Sequence, residues 1–574
     1  MEVNMARIFD EHRVRRVRSL DGAWKFLTDP DYIGDQNGYN LSLPKGETVM
    51  IPSVWNTESG LLKYEGVAWY EKKFYTEGGT LLFNFGAVMN ECDVFLDGEK
   101  LGYHYGGYCE FDFIARDVSC GMHTLTLKVD NRFDEHSIPQ KVVDWYHYGG
   151  ITRSVSVSTL EGVAILSHRF EYELSDDLKT VVCTPKVTLY NAKKRRAETT
   201  LKLSLNGEVK SICNLAVSAG KRLEISLPSF TLEDVRLWDE GKPELYSLEF
   251  STDTDDLFDR VGFRKIEVKD EKLFLNGREI EIRGVNRHHD HPDFGMAFPP
   301  ARMKHDIDLI EELGCNAIRG SHYPNSRDFL DMLDERGILF WSEIPIWGGG
   351  FADETLGDKI VVERGLEMHR EMIKYYYNHP SIIIWGLHNE IHVESKQAYE
   401  MTKKYYALVK EIGGDRPVVY ATCRPMVDTC FEFTDIICLN VYYGWYSGGL
   451  DAWAPFLESF IERRNSLGHA SKPIILSEFG GGAVYGVHDA ELSIWSEEYQ
   501  AKLLGFCLET FHAHPSVVGS YVWQFCDMRT AAEMGMTRAR GFNNKGIMNE
   551  YRRPKAGFYA VKDCYTRFKA EENK

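Results

Sequence analysis

A chain of 574 residues with a formal net charge of −19 is too long for one hydrophobic core and corresponds to roughly three to four domains. Its negative charge repels phosphate backbones and anionic bilayers, which argues against nucleic-acid and membrane partners. Hydrophobic residues at 43% and charged residues at 27% match compact globular usage and exclude a disordered or fibrous chain.

Met1 to Arg18 is charged throughout and lacks the apolar run of a signal peptide, and no stretch approaches membrane-spanning length. The 12 cysteines are scattered without a Cys-x-x-Cys pair, so reduced thiols and a cytoplasmic location are expected. With 12 Trp and 30 Tyr there is enough aromatic surface to stack on sugar C–H faces, which permits a carbohydrate site without requiring one.

Up to residue 161 the chain alternates apolar and polar residues in short runs such as Thr80 to Phe85, Cys92 to Leu96 and Thr124 to Val129. This is the period of half-exposed strands, and turn pairs such as Asp97-Gly98 punctuate them, predicting a β jelly roll over 1–161. Residues 162–265 carry a second set of short strands, among them Val187 to Tyr190, Thr200 to Leu205 and Ser247 to Ser251. Their size fits an immunoglobulin-like β-sandwich, although no Cys–Trp–Cys spacing marks a true immunoglobulin domain.

From Ile266 onward the pattern changes to apolar runs separated by amphipathic helical segments, the mark of parallel βα units. Eight runs are present: Ile280 to Val285, Ala317 to Gly320, Leu339 to Ile344, Ile382 to Leu387, Val418 to Ala421, Ile436 to Val441, Pro473 to Ser477 and Val517 to Phe525. Met303, Ile307, Ile310 and Leu313 share one helical face between the first two, and Asn325 to Arg336 supplies the next helix. Eight units over 266–574 predict a (β/α)8 TIM barrel.

In such a barrel chemistry sits at the carboxyl ends of the strands. There the runs end in Ser321-His322-Tyr323, Glu343, His388-Asn389-Glu390, Tyr442-Tyr443 and Glu478, and the last run contains Trp523. Two carboxylates, Glu390 and Glu478, thus end the fourth and seventh strands on one rim, which suits glycoside hydrolysis. One carboxyl protonates the leaving oxygen while the other attacks the anomeric carbon or activates water. Periodicity alone does not fix the reaction.

Asn378-His379-Pro380-Ser381-Ile382-Ile383-Ile384-Trp385-Gly386 leading to Asn389-Glu390, and Asn316-Ala317-Ile318-Arg319 with Ser321-His322-Tyr323-Pro324, resemble the signatures of glycoside hydrolase family 2. The likeness extends to Leu20-Asp21-Gly22-Ala23-Trp24-Lys25-Phe26, Ile51-Pro52-Ser53-Val54-Trp55 and Gly106-Gly107-Tyr108, and so spans effectively the whole chain. It implies that Glu390 is the acid/base, that Asn389 bonds the sugar 2-hydroxyl, and that Glu478 in Leu476-Ser477-Glu478-Phe479-Gly480 is the nucleophile of a retaining mechanism. Tyr442 matches a family tyrosine near the nucleophile, where a hydrogen bond from its hydroxyl would keep Glu478 charged, Trp523 matches a platform residue, and His322 is a sugar-contact candidate.

The family also contains galactosidases and mannosidases, so the sugar must be read elsewhere. Gly541-Phe542-Asn543-Asn544-Lys545-Gly546-Ile547 matches the Asn-x-Lys motif with which the family's glucuronidases hold the substrate carboxylate, making Asn543 and Lys545 binding candidates. Taken alone, the triplet would read as a solvated turn. Tyr442-Tyr443-Gly444-Trp445-Tyr446 and the Asp144-Trp145-Tyr146-His147-Tyr148 segment resemble the same branch, adding Tyr446 and Asp144. Of two arginines near the motif, Arg538 and Arg540, neither has a clean family spacing; Arg540 is carried as the candidate.

The resemblance therefore implies hydrolysis of β-glucuronides, small or oligosaccharide, without cofactor, in a homo-oligomer. Galacturonide and galactoside hydrolysis are the alternatives within the family, and a catalytically silent carbohydrate-binding scaffold is the alternative outside it. His288, His289, Asp290 and His291 are ligand-type side chains, but spacing alone is unspecific, and hydrogen-bonded rim residues are the expectation rather than a metal. The short Gly-rich segment from Trp347 to Gly357 predicts an open entrance that admits large aglycones.

Overall fold

The computed structural model describes residues 7–348 and 351–572. The first part is two antiparallel sheets. Strands Glu47–Ile51, Gly22–Asp29, Val67–Thr76, Gly121–Asp130, Glu91–Leu96 and Glu99–Tyr105 lie side by side in that order. They face a second sheet of Val17–Ser19, Val155–Leu160, Gly79–Phe85 and Phe111–Val118. Alternate residues point inward, so Trp24, Phe26, Tyr70, Phe83, Leu125 and Leu127 fill the space between the sheets. Asp97 and Gly98 both take left-handed φ, +50° and +87°, the geometry of a tight hairpin between Glu91–Leu96 and Glu99–Tyr105. This is the expected jelly roll.

The second part is a smaller sandwich. Val163–Leu174, Val181–Asn191, Arg222–Ser226 and Phe230–Leu232 form one sheet; Glu208–Val217, Ala197–Leu205, Tyr246–Ser251 and Asp256–Val261 form the other. Leu189, Leu201, Leu203 and Phe250 close its core.

The third part is a closed barrel of eight parallel strands: β1 Ile282–Asn286, β2 Ala317–Gly320, β3 Leu339–Glu343, β4 Ile382–Asn389, β5 Val418–Thr422, β6 Ile437–Asn440, β7 Ile474–Phe479 and β8 Val517–Val522. Each coincides with one of the eight apolar runs. Pairing of Ile282 with Gly519 joins β1 to β8. Both faces of every strand are covered, one by the barrel interior and one by helices, which is why the runs are continuous rather than alternating. Helix α1 (Pro300–Glu312) buries Met303, Ile307 and Ile310 as its spacing predicts. Helix α2 (Arg327–Arg336) starts on the Ser326 cap and ends at Gly337, whose φ of +67° is the left-handed stop. A small antiparallel sheet, Ile266–Lys269, Lys272–Leu275 and Arg278–Glu279, precedes β1, and its Ile266, Leu273 and Leu275 pack with the barrel-interior Trp341, Ile384 and Ile475.

Arginines tie the parts together. Arg7 donates to Asp259 in the sandwich (2.7 Å) and, with two nitrogens, to Asp331 on α2 (both 2.8 Å). Arg153 of the jelly roll reaches the Pro324 carbonyl after β2 at 2.9 Å. Truncating one member of a buried ion pair strands the other charges in a dry site, at a cost of about 3–5 kcal/mol. Arg7→Ala is therefore expected to lower stability by about that amount in denaturant titration, while leaving the catalytic constants of the folded protein unchanged at low temperature.

Candidate active site

The carboxyl ends of the strands open into a cavity of about 600 Å³ whose walls include Asp144, Glu390, Tyr442, Glu478, Trp523 and Lys545. These come from the jelly roll, β4, β7 and the loops after β6 and β8, so no single element could have assembled them.

Glu478 ends β7 and is almost fully buried. Its Oε1 accepts from Arg319 Nη1 at 2.9 Å and its Oε2 from the Tyr442 hydroxyl at 2.7 Å. Burial pushes its carboxyl up to about 7, against the pull of the Arg319 charge and the Tyr442 hydrogen bond. Glu390, at the end of β4, accepts from Asn440 Nδ2 at 2.8 Å. Burial and the neighbouring Glu478 charge push it higher, to about 8. The Arg319 charge and the Tyr442 hydroxyl favour the ionised form of Glu478, whereas Glu390 has only the Asn440 amide and a like charge beside it, the asymmetry that an attacking carboxylate and a proton donor require.

Backbone shape aims the donor. Glu390 adopts φ +54°, a left-handed conformation that costs a non-glycine residue energy and is held by surrounding structure. Its N–H donates to the Ala421 carbonyl at 2.9 Å. Gly348 lies so close that a Cβ there would sit 1.6 Å from the Glu390 carbonyl oxygen. One glycine of the Gly-rich segment is therefore required by close approach to the acid/base turn.

A polar layer lies behind the carboxylates. Arg319, fully buried at the end of β2, spreads its nitrogens over Glu478, Glu343 (3.0 Å to each oxygen) and Asn389 Oδ1 (2.8 Å). Asn440 Nδ2 also donates to Asn389 Oδ1 at 3.0 Å, while Asn440 Oδ1 accepts from Ser477 Oγ at 2.6 Å. Asn389 Nδ2 has no partner among the described residues. His322 is fully buried and stacked on Trp523 at 5.2 Å; its Nδ1 meets Glu343 at 2.7 Å and its Nε2 lies 3.8 Å from Glu478. His322 therefore sits one layer behind the cavity surface. The sequence showed Arg319 only as part of a family motif, and it gave no role to Glu343 or Asn440. Position at a strand end was their only sequence signal.

The second cluster surrounds Lys545. Its Nζ meets the Tyr446 hydroxyl at 2.5 Å and faces the rings of Tyr446 and Tyr442 at 4.7 and 5.4 Å. The residue is only 3% exposed, and among the described residues no carboxylate lies within ion-pair distance of it. Asn543 is also buried. Its Nδ2 donates to Asp144 at 2.6 Å and its Oδ1 accepts from the Lys545 N–H at 3.1 Å, so it braces both neighbours. Asp144 further accepts from Arg538 Nη2 at 2.9 and 3.0 Å.

Arg538, not Arg540, reaches the cavity. Arg540 is exposed, takes a left-handed φ of +60° and pairs with Glu550 at 2.9 Å, while Arg538 joins the cavity wall. Of the histidine run, His288 Nδ1 meets the Tyr323 hydroxyl at 3.2 Å, and Asp290 accepts from the Tyr148 hydroxyl at 2.5 Å and the Arg529 N–H at 2.8 Å. His288 Nε2 and His289 Nε2 have no hydrogen-bond partner among the described residues. Trp347 lines the cavity. Residues 349–350 of the Trp347 to Gly357 segment lie outside the described residues, so the expected openness of the entrance is not read from them.

Residues 17–161 match the sugar binding domain of glycosyl hydrolases family 2, residues 163–264 match glycosyl hydrolases family 2, and residues 266–570 match that family's TIM barrel domain. The chain belongs to glycoside hydrolase family 2. It is 30% identical to a β-glucuronidase of Bacteroides fragilis over 98% of this chain and 82% of that protein. It is 27% identical to the β-glucuronidase of Mus musculus over 97% and 92%. Among solved structures it is similar to a family 2 β-galacturonidase from Eisenbergiella tayi bound to galacturonate, with a TM-score of 0.91 and 31% identity over 98% of this chain and 99% of that one. It is likewise similar to a β-glucuronidase from Ruminococcus gnavus, with a TM-score of 0.86 and 26% identity over 98% and 100%. The chain is a glycoside hydrolase.

For this family 2 hydrolase, Tyr442→Phe removes a donor to the ionised form of Glu478 and so raises the pH at which it ionises. The acidic limb of the pH profile of kcat/KM is expected to move to higher pH, with kcat falling about 100-fold; steady-state kinetics across pH checks both.

Proposed function

We propose that the protein is a retaining β-glucuronidase, with Glu478 as nucleophile and Glu390 as acid/base. The observation that carries the sugar assignment is Lys545: an almost buried ammonium, without a carboxylate partner among the described residues, on the same cavity wall as the catalytic pair. Such a charge is costly unless a ligand supplies the anion, and the carboxylate on C5 of a uronide does so. With the net charge at −19, this local cation is also what overcomes the repulsion an anionic substrate would meet.

In the proposed reaction Glu390 passes its proton to the glycosidic oxygen as Glu478 bonds to the anomeric carbon, and the C–O bond to the aglycone breaks. Water, deprotonated by Glu390, then releases glucuronate from the covalent glycosyl-enzyme. The free Asn389 amide hydrogens suit a sugar 2-hydroxyl. Asp144, held by Arg538 and Asn543, supplies acceptors for ring hydroxyls, and Trp523 offers an apolar face.

A galacturonide is the second reading, favoured by the likeness to the Eisenbergiella tayi enzyme. It presents the same carboxylate to Lys545 and differs only at C4. Parallel assays with p-nitrophenyl β-glucuronide, β-galacturonide and β-galactoside decide among them, and the glucuronide is expected to have the highest kcat/KM.

Loss of one member of a desolvated charge pair costs about 2–5 kcal/mol, so Lys545→Ala is expected to lower kcat/KM for the uronide by about 30- to 5,000-fold. Any galactoside activity should stay as it was; equal loss on both substrates would refute the carboxylate role. Glu478→Ala and Glu390→Gln should each remove most turnover of the aryl glycoside in the same assay.

A further inference from the structure

A third carboxylate, Glu343, lies behind the catalytic pair and is not among the residues that line the cavity. It ends β3, is 1% exposed, and accepts from Arg319 Nε at 3.0 Å, Arg319 Nη2 at 3.0 Å and His322 Nδ1 at 2.7 Å. Its place is fixed by the neighbouring strand, since a Cβ on Gly386 would fall 2.5 Å from the Glu343 Cβ. The same guanidinium holds Glu478 through Nη1, and the Trp341 ring covers it at 4.4 Å.

We propose that Glu343 is a positioning residue for the glycosidase reaction, sharing Arg319 with the nucleophile and accepting the Nδ1–H of His322, so that the buried guanidinium keeps a counter-ion throughout the catalytic cycle. The inference rests on the double-displacement reading, though not on which uronide is cleaved. When Glu478 bonds to the anomeric carbon it becomes a neutral ester, and Arg319 loses one of its two anions. Glu343 remains. Without it, a buried cation would stand uncompensated in the intermediate, a costly state that would raise the barrier leading to it.

Sharing has a second effect before the bond forms. Arg319 divided between two carboxylates stabilises Glu478 less than Arg319 devoted to one, so the nucleophile keeps more basicity. The contact to His322 sets that ring too. Its Nδ1 carries the hydrogen toward Glu343, leaving the Nε2 lone pair on the side of Glu478, where Nε2 has no hydrogen-bond partner among the described residues. Burial and the Arg319 charge keep the ring neutral.

The test is the pH dependence of kcat and kcat/KM for wild type, Glu343→Gln and Glu343→Asp on p-nitrophenyl β-glucuronide and β-galacturonide, with Tm measured for each. Glu343→Gln removes the competing charge and hands Arg319 to Glu478. The acidic limb of kcat/KM should move to lower pH by about half a unit or more, and kcat should fall about 100-fold with KM within about twofold. Glu343→Asp keeps the charge but withdraws it by one methylene, so kcat should fall while the limb stays near its wild-type position. A limb in Glu343→Gln that coincides with wild type overturns the proposal. So does a fall in Tm that takes both variants below the assay temperature, which would assign Glu343 to the fold. Wild type that cleaves only a galactoside would instead strike the uronide reading, and the same profiles taken on that substrate would still decide the role of Glu343.

Discussion

The catalytic end of this molecule is organised around one buried guanidinium. Arg319 has no access to water, so each of its N–H groups must find an acceptor within the protein. Those acceptors, Glu478, Glu343 and Asn389, come from β7, β3 and β4. Satisfying one side chain on β2 therefore fixes the placement of its neighbour β3, of β4 beyond that, and of β7, which does not adjoin it. Asn440 extends the same lattice to Glu390 on one side and Ser477 on the other. The two carboxylates hold their places because the layer behind them cannot move piecemeal, and their different neighbours separate proton donor from attacking group.

The sugar-recognition side works by a different rule. Around Arg319 every charge has a partner in the protein; around Lys545 one is lacking. Two tyrosine rings and a hydroxyl make the ammonium tolerable, but a neutral sugar in the cavity would strip away water and return no anion. Discrimination then comes mainly from the penalty imposed on the wrong substrate rather than from attraction to the right one. It acts on the group attached to C5 and is blind to the configuration at C4, which is why glucuronide and galacturonide are near neighbours in this architecture.

Much of this was legible in the chain. The barrel strands showed because burial on both faces leaves an uninterrupted apolar signal. The jelly roll and the small sandwich showed because alternation and turn residues such as Asp97-Gly98 are local features. Glu390 and Glu478 stood out because each ends such a run within a recognisable motif. What stayed hidden depends on pairing across hundreds of residues: nothing around Glu343 or Asn440 announces the partner each meets. The choice between Arg538 and Arg540 lay in a short irregular segment whose backbone leaves the regular helical path at Arg540. Two residues of separation suffice to send one guanidinium inward and the other to Glu550.

Asp144 belongs to the jelly roll, yet its carboxylate is clasped by Arg538 and Asn543 from the far side of the barrel. The sugar pocket is consequently a seam between two modules rather than the property of either. A barrel excised from its partner would keep the bond-breaking pair and lose part of the wall that grips the sugar. Grafting this selectivity onto another barrel would mean transplanting both sides of the seam together, with the angle between them preserved.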